Sequence, residues 1–403
     1  MNISYFVHGF PPSIGAGSIN AYAIAKFLSK YDHRITIFSP GVFSKISYES
    51  KDSIKKRLKE LNINIRYSSK FAKIPLNLTV SHYENMIRYL TNKKLYSKSH
   101  IILSQYSAYH FASVVAGSIS KIQNIPHVIR SHDIFFPTES FSLPLQVFHS
   151  ILYTKIYRSI LNCDVFYVTT TEMKRYYLKF KKLQNINFKI HHNGIDTALF
   201  NSNKEIEDLK KKYSAQNIII FIGQISRDFD LKNVLTIMPE LLKIHKDTHL
   251  LIIGDGSQPA KEFLLNFIKK KHLKKQIHFL GVKSHEQMPY YINNSDIGIG
   301  RITHERIWKY MIPVKCLEYM ACKKPFITAP CSRDLIKNND VGLMLNDNFI
   351  EKDIFEKFNI LIEDNGLRRK LGEAGLMKIN QKFRWEKLME KFNNDLIQIA
   401  LEN

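Results

Sequence analysis

Short apolar runs alternate with helical stretches along almost the whole chain. NISYFVH (2–8) reads as a strand, FPPSIGAGS as a loop and INAYAIAKFLSKY (19–31) as a helix. RITIFS (34–39), INIRY (63–67), HIILS (100–104), HVIRS (127–131), DVFYVT (164–169) and FKIHH (188–192) read as further strands, most of them flanked by helical patterns. A polar stretch, NGIDTALFNSNKEIEDLKKKYSAQ (193–216), interrupts the rhythm with a turn, a linker and a charged helix. The pattern then restarts. NIIIFIG (217–223), THLLIIG (248–254), QIHFLG (276–281), SDIGIG (295–300), PFIT (325–328) and VGLML (341–345) alternate with helices such as 232–246 and 258–272. Buried runs of this length, spaced by helices, predict parallel sheets covered on both faces. The expected architecture is α/β, with two Rossmann-like doubly wound domains over 1–196 and 197–382. A closing amphipathic helix over 383–403 is long enough to cross back to the first domain.

WKYMIPVKCLEYMACKKPFI (308–327) carries the most local information. Pro313, with a fixed φ and no amide hydrogen, suits the first turn of a helix. Val314 to Lys324 then continues as that helix, with Leu317, Met320 and Ala321 at helical spacing on its buried side. Lys323 and Lys324 are expected at its far end, and Pro325 stops it. Free amides at the Pro313–Val314 end form a seat for a phosphate, and Glu318, one turn inside, can accept two hydroxyls such as those of a ribose. An ordinary core helix with one solvated glutamate fits the same local pattern.

Composition narrows the class. At 403 residues with 44% hydrophobic content, the chain can build two real cores. No run of 18 apolar residues is present, so no spanning helix is expected, and MNISYFVHGF lacks the positive start of a signal peptide. Cys163, Cys316, Cys322 and Cys331 form no C-x-x-C pair and read as structural thiols of a reducing compartment. The net charge of +23 changes the picture more. Gly41 to His100 holds 13 Lys plus Arg against 4 Asp plus Glu. Such a surface suits anionic lipid or a polyphosphate ligand; a lysine-biased composition throughout explains it equally. Nucleic acid is not expected as a partner, because no zinc spacing, RNP-like run or aromatic-interleaved basic helix accompanies the charge.

In open α/β sheets ligands sit beyond the carboxyl ends of the strands, so the loops there hold the candidates. After the first strand, Gly15 and Gly17 allow close backbone approach, and Ser18 is placed to cap the next helix. The third glycine of a dinucleotide fingerprint is missing. After HVIRS, His132 beside Asp133 can act as acid, base or hydrogen-bond donor to a sugar hydroxyl, or simply pack in the loop. After NIIIFIG, Arg227 and Lys232 can hold a diphosphate and stabilise it as a leaving group. Asp255-Gly256 forms a turn that backbone groups can use against a nucleoside.

Taken in order, these stretches resemble the retaining glycosyltransferases of family 4, with the GT-B fold. FPPSIGAGSINAYAIAKFL, IPHVIRSHD, NCDVFYVTTTEMKRYYL, IHHNGIDTALF, FIGQISRDFDLKN, LLIIGDGS, HFLGV, SDIGIG, PVKCLEYMACKKPFIT and FRWEKLMEKF carry the resemblance, which spans nearly all the chain. It implies two domains facing a central cleft, an acceptor bound by the first and a nucleotide-sugar donor, a UDP-sugar, bound by the second. No cofactor or metal is implied. By position, Arg227 and Lys232 hold the donor diphosphate, Glu318 matches the second glutamate of E-x7-E, and His132 the histidine near the reacting sugar. Gly15 and Gly17 match the glycine loop, and Val314 lies at the donor-binding helix start.

Two departures stand out. Tyr310 occupies the place of the first E-x7-E glutamate, and Gly223-Gln224 stands where the family has G-R. Pro313, Lys315 and Glu318 fit a P-x-K-x-x-E version of the motif instead. The implied product is a glycan or lipid-linked glycoconjugate made in the cytoplasm, with the protein peripheral on the inner face of the cell membrane. The aromatic stretch IFFPTESFSLPLQVFHSILY (134–153) supports that placement, or forms a core helix pair. A sugar-nucleotide epimerase and an inactive nucleotide-sugar-binding subunit are the alternatives.

Overall fold

A computed structural model describes residues 1–11, 15–39, 51–67, 98–106, 112–134, 154–202, 208–225 and 230–402. The basic stretch after Gly41, most of the aromatic stretch after Ile134, and Arg227 fall largely or wholly outside these residues. The chain divides into two compact units, Met1–Asn193 with Trp385–Asn403, and Gly194–Arg384.

The first unit holds seven parallel strands: β1 (Asn2–Phe6), β2 (Arg34–Ser39), β3 (Ile63–Tyr67), β4 (Ile101–Tyr106), β5 (His127–Ser131), β6 (Val165–Val168) and β7 (Phe188–Ile190). Their order is β3-β2-β1-β4-β5-β6-β7, so the winding direction reverses between β1 and β4. Helix α1 (Ala16–Ser29) follows β1 and buries Ala21, Ile24, Ala25 and Leu28 at helical spacing. The C-terminal helix Trp385–Glu402 belongs to this core, contributing Trp385, Met389, Phe392, Leu396 and Ile399.

The second unit repeats the plan with β8 (Asn217–Ile222), β9 (Thr248–Ile253), β10 (Ile277–Gly281), β11 (Ile297–Ile299), β12 (Phe326–Thr328) and β13 (Leu343–Met344). Its order is β10-β9-β8-β11-β12-β13, all parallel, with the reversal between β8 and β11. Apolar cores line both faces of this sheet. Helices α2 (Asp230–Ile244) and α3 (Val314–Ala321) place the polar groups of interest, because each starts near the carboxyl ends of the central strands.

Three local expectations change. Gly15, not Ser18, is the N-cap of α1, and Ser18 is buried inside the helix. Helix α3 ends at Ala321 rather than running to Lys324, because Lys323 adopts a left-handed φ of 56° that breaks the helical path. Lys324 then donates to the Asn293 carbonyl at 2.8 Å instead of facing the helix end. Finally, Glu318 is buried, not solvated.

Candidate functional site

In the first unit, the polar groups gather where β1, β4 and β5 end. Arg130 is fully buried at the end of β5. It donates through Nε to His191 Nδ1 at 2.8 Å, and through NH2 to the His192 carbonyl at 3.1 Å and Asn193 Oδ1 at 2.9 Å. Burial outweighs the opposing pull of Tyr5 and brings the guanidinium down to about 10. Two residues on, His132 lies against this cation. Burial first, then the charges of Arg130, His8 and His191, hold its pKa well below the ordinary histidine value. Gln105, on β4, links His132 to the backbone carbonyl of Gly17. A Cβ at Gly17 would fall 2.4 Å from His8 Nε2, so any larger residue there displaces that imidazole. Gly15 is exposed at the head of α1, with φ 143°. Gly17 and His132 are thus joined through Gln105, with Arg130 beside His132, while Gly15 lies two residues before Gly17 at the exposed head of α1.

In the second unit, the centre is Asp230 at the start of α2. Its Oδ2 accepts from Lys315 Nζ at 3.2 Å and from Arg301 NH1 at 3.1 Å, while Oδ1 accepts the Ile302 amide at 2.8 Å. Burial acts to raise the Asp230 carboxyl, but the two cations and the amide outweigh it and leave the pKa lowered. Lys315 lies in the first turn of α3, over the Phe221 ring at 4.5 Å. Burial pulls its ammonium below the usual lysine range against the attraction of Asp230. Arg301 follows β11 and stacks on the Trp308 ring at 3.7 Å. Lys232, two residues beyond Asp230, is exposed and has no carboxylate partner among the described residues. Two cations thus meet Asp230 at the head of α2, and Lys232 stands in the first turn of the same helix, where amide dipoles also favour an anion.

Val314 opens α3 with its amide uncapped by any side chain. One turn on, Glu318 Oε1 accepts from His285 Nε2 at 3.1 Å. Burial lowers the His285 pKa, but that bond and the charges of Glu318, Glu286 and Asp196 more than reverse it, and the pKa is raised. Tyr310 ends a short 3₁₀ turn, Arg306–Tyr310, with Lys309 Nζ 5.2 Å from its ring centre. Beside β8, Gly254 has φ 151°, and a Cβ there falls 1.8 Å from the Gly223 carbonyl oxygen. The loops after β8 and β9 are therefore locked together, with Ile225 N donating to the Asp255 carbonyl at 2.8 Å. Asp255 also pairs with Lys261 at 3.1 Å.

Sequence reasoning missed Arg301, Asp230, Arg130, Gln105 and His285. An arginine directly after the SDIGIG strand was the available signal for the first. The others have no local signature, because the fold sets their partners: the hydrogen bonds of Gln105 span 27 and 88 residues, and Lys315 lies 85 residues from Asp230. Among the described residues, no group of three or more His, Cys, Asp or Glu side chains is arranged to hold a metal ion.

Two doubly wound parallel-sheet units, each with its polar groups at the carboxyl ends of the central strands, define the GT-B class of two-domain α/β proteins. Residues 202–377 match the model described as "Glycosyl transferases group 1" and residues 18–199 the model of "Glycosyltransferase Family 4". The chain belongs to these family-4-like glycosyltransferases. It is 24% identical over 208 residues to an uncharacterized glycosyltransferase from Methanocaldococcus jannaschii, covering 50% of each chain. It is 22% identical over 325 residues to the alpha-monoglucosyldiacylglycerol synthase of Acholeplasma laidlawii, covering 76% of this chain and 75% of that one. Several of the curated matches span only about half of the relatives' length. Anabaena HepE in complex with UDP-glucose shares the fold, with a TM-score of 0.74 at 16% identity over 99% of this chain and 100% of that one. No helix among the described residues is long and apolar enough to cross a membrane.

Proposed function

We propose that this protein is a retaining hexosyltransferase that moves a sugar from a UDP-sugar to a glycan or lipid-linked acceptor without a metal. The observation that carries this reading is the pairing of Lys315 and Arg301 with Asp230 at the head of α2, the helix that also bears Lys232 in its first turn. Departure of a nucleoside diphosphate develops negative charge, and preorganised cations and amides are what lower that barrier. Lys315 and Lys232 hold the diphosphate together with the Val314 amide; Arg227, expected from the sequence to assist them, lies outside the described residues. Glu318 binds the ribose hydroxyls, its carboxylate oriented by His285. The anomeric C–O bond to the diphosphate breaks, a C–O bond to the acceptor forms on the same face, and the departing phosphate oxygen takes the acceptor's proton. His132 contacts the sugar rather than serving as base.

A UDP-sugar donor is favoured by the likeness to HepE, which is complexed with UDP-glucose. A lipid-linked acceptor draws on the similarity to a diacylglycerol-modifying synthase and on the basic stretch after Gly41, which also suits an anionic membrane surface. The test is nucleoside diphosphate release from a panel of UDP-, GDP- and ADP-sugars, alone and with a membrane lipid extract. Lys232→Ala and Glu318→Ala proteins run beside the wild type. Release from one donor, lost in both variants, is expected. Donor binding without release under any condition replaces this reading with the inactive binding subunit, for which Tyr310 and Gln224 are the supporting departures.

A further inference from the structure

His132 faces two hydrogen donors and no acceptor among the described residues, and this fixes what it can offer a ligand. Gln105 Nε2 lies 3.1 Å from the Gly17 carbonyl oxygen and 3.0 Å from His132 Nε2. A carbonyl oxygen only accepts, so the group of Gln105 facing it must be the NH2 and not the amide oxygen. The second hydrogen of that NH2 then points to His132 Nε2, which must be a bare lone pair. Arg130 NH1 is 3.3 Å from Nδ1 and 3.2 Å from Nε2. Being nearly equidistant from both, it lies over the imidazole face and not along either lone pair. A guanidinium in that position opposes a second ring proton.

We propose that Gln105 and Arg130 are positioning residues that hold His132 as the neutral tautomer protonated on Nδ1. The ring then presents a single N–H to an oxygen of the sugar and has no free lone pair with which to act as a base. The proposal rests on the reading of His132 as a sugar contact given above. The titratable and charged groups that face His132 among the described residues are His8 after β1, Arg130 on β5 and His191 after β7. Gln105 from β4 and the Gly17 carbonyl complete the surroundings. None of these is a carboxylate, so nothing there favours an imidazolium. Burial acts in the same direction. The glycine loop gains a second role, since the Gly17 carbonyl orients the amide that selects the tautomer.

The test is two-bond nitrogen–proton correlation spectroscopy on the full chain labelled with ¹⁵N-histidine, with the His132→Gln spectrum identifying the His132 signals. The expected result is the Nδ1–H pattern, unchanged between about pH 5 and 8, where a free histidine titrates. In Gln105→Glu a carboxylate oxygen faces Nε2, so the pattern is expected to switch to Nε2–H or to imidazolium. Gln105→Leu, which removes the donor, is expected to give a tautomer mixture. In donor turnover, Gln105→Leu should lower kcat about tenfold or more with little change in donor KM, as expected for a misplaced reacting geometry. An Nε2–H pattern in the wild type, or a His132 titration inside that pH window, overturns the proposal even if sugar transfer is confirmed. The Nδ1–H pattern in a protein that transfers no sugar upholds the tautomer assignment and removes the transferase reading instead.

Discussion

Replacing Asp230 with asparagine isolates the charge that holds the second unit's cations together. The substitution keeps the shape, and the retained amide oxygen can still accept the Ile302 N–H now made at 2.8 Å. What disappears is the negative charge shared by Lys315 and Arg301. Arg301 can recover by hydration, since its side chain is 24% exposed and rests on Trp308. Lys315 cannot, with a side chain 13% exposed. Removing one partner of a buried pair costs about 3–5 kcal/mol, and counting Lys315 alone takes the lower end, about 3 kcal/mol. For a unit of this size each kcal/mol moves the melting midpoint by about 2–4 °C, so a fall of about 6–12 °C is expected.

The pH dependence separates this cause from simple repacking. In Asp230→Asn the Lys315 pKa falls further below its unfolded value, and losing the proton relieves the penalty. The stability gap to wild type should therefore shrink as pH rises towards the ordinary lysine range. Thermal melts followed by circular dichroism across that range, with Lys315→Met and the double variant completing a cycle, provide the assay. An unchanged midpoint, or a loss that is the same at every pH and additive in the cycle, refutes the reasoning.

Three further outcomes follow from the same geometry. Lys315→Met should reduce nucleoside diphosphate release by about 10²–10³ in steady-state assays while destabilising less than Asp230→Asn, because Arg301 still satisfies the carboxylate. Glu318→Gln removes the anion that raises the His285 pKa. That pair stabilises fully below the unfolded histidine value and loses its contribution as pH rises through the raised folded value. The variant's deficit should accordingly be widest below about pH 6.5 and narrow above it, as read by chemical denaturation. Gly254→Ala forces a Cβ onto the Gly223 carbonyl and should cost about 3 kcal/mol in denaturation. Unchanged denaturation would mean that the loops after β8 and β9 are not locked.

The two winding series were legible because each buried strand announces itself as an apolar run between turns. RITIFS and INIRY match β2 and β3 residue for residue, and the reversal points then place the loops worth searching. Element ends were less legible. The two lysines after Ala321 suit a helix terminus by charge, yet the chain breaks earlier at the left-handed Lys323. The glycine loop, His132, Val314 and Glu318 could be placed by position alone. Their partners could not. His285 is 33 residues from Glu318, and Asp230 is 71 from Arg301; a pairing set by the fold leaves no periodicity in the sequence. Gln105 looks like any strand glutamine until β4 and β5 are laid side by side in register.

The first unit is interrupted in sequence by the second, and that has a consequence for how the chain is made. His33 reaches Asn393 at 2.6 Å across 360 residues, and Tyr167 donates to Asp395 across 228. Trp385, Met389 and Phe392 fill the same core as β1 and α1. During synthesis the residues Met1–Asn193 emerge long before the helix that finishes their core, whereas Gly194–Arg384 emerge as one uninterrupted piece. The later-made unit is therefore complete in sequence before the earlier one. The N-terminal half lacks part of its core until that helix is made, so loss of the C-terminal helix uncovers apolar surface in the half of the protein made earliest.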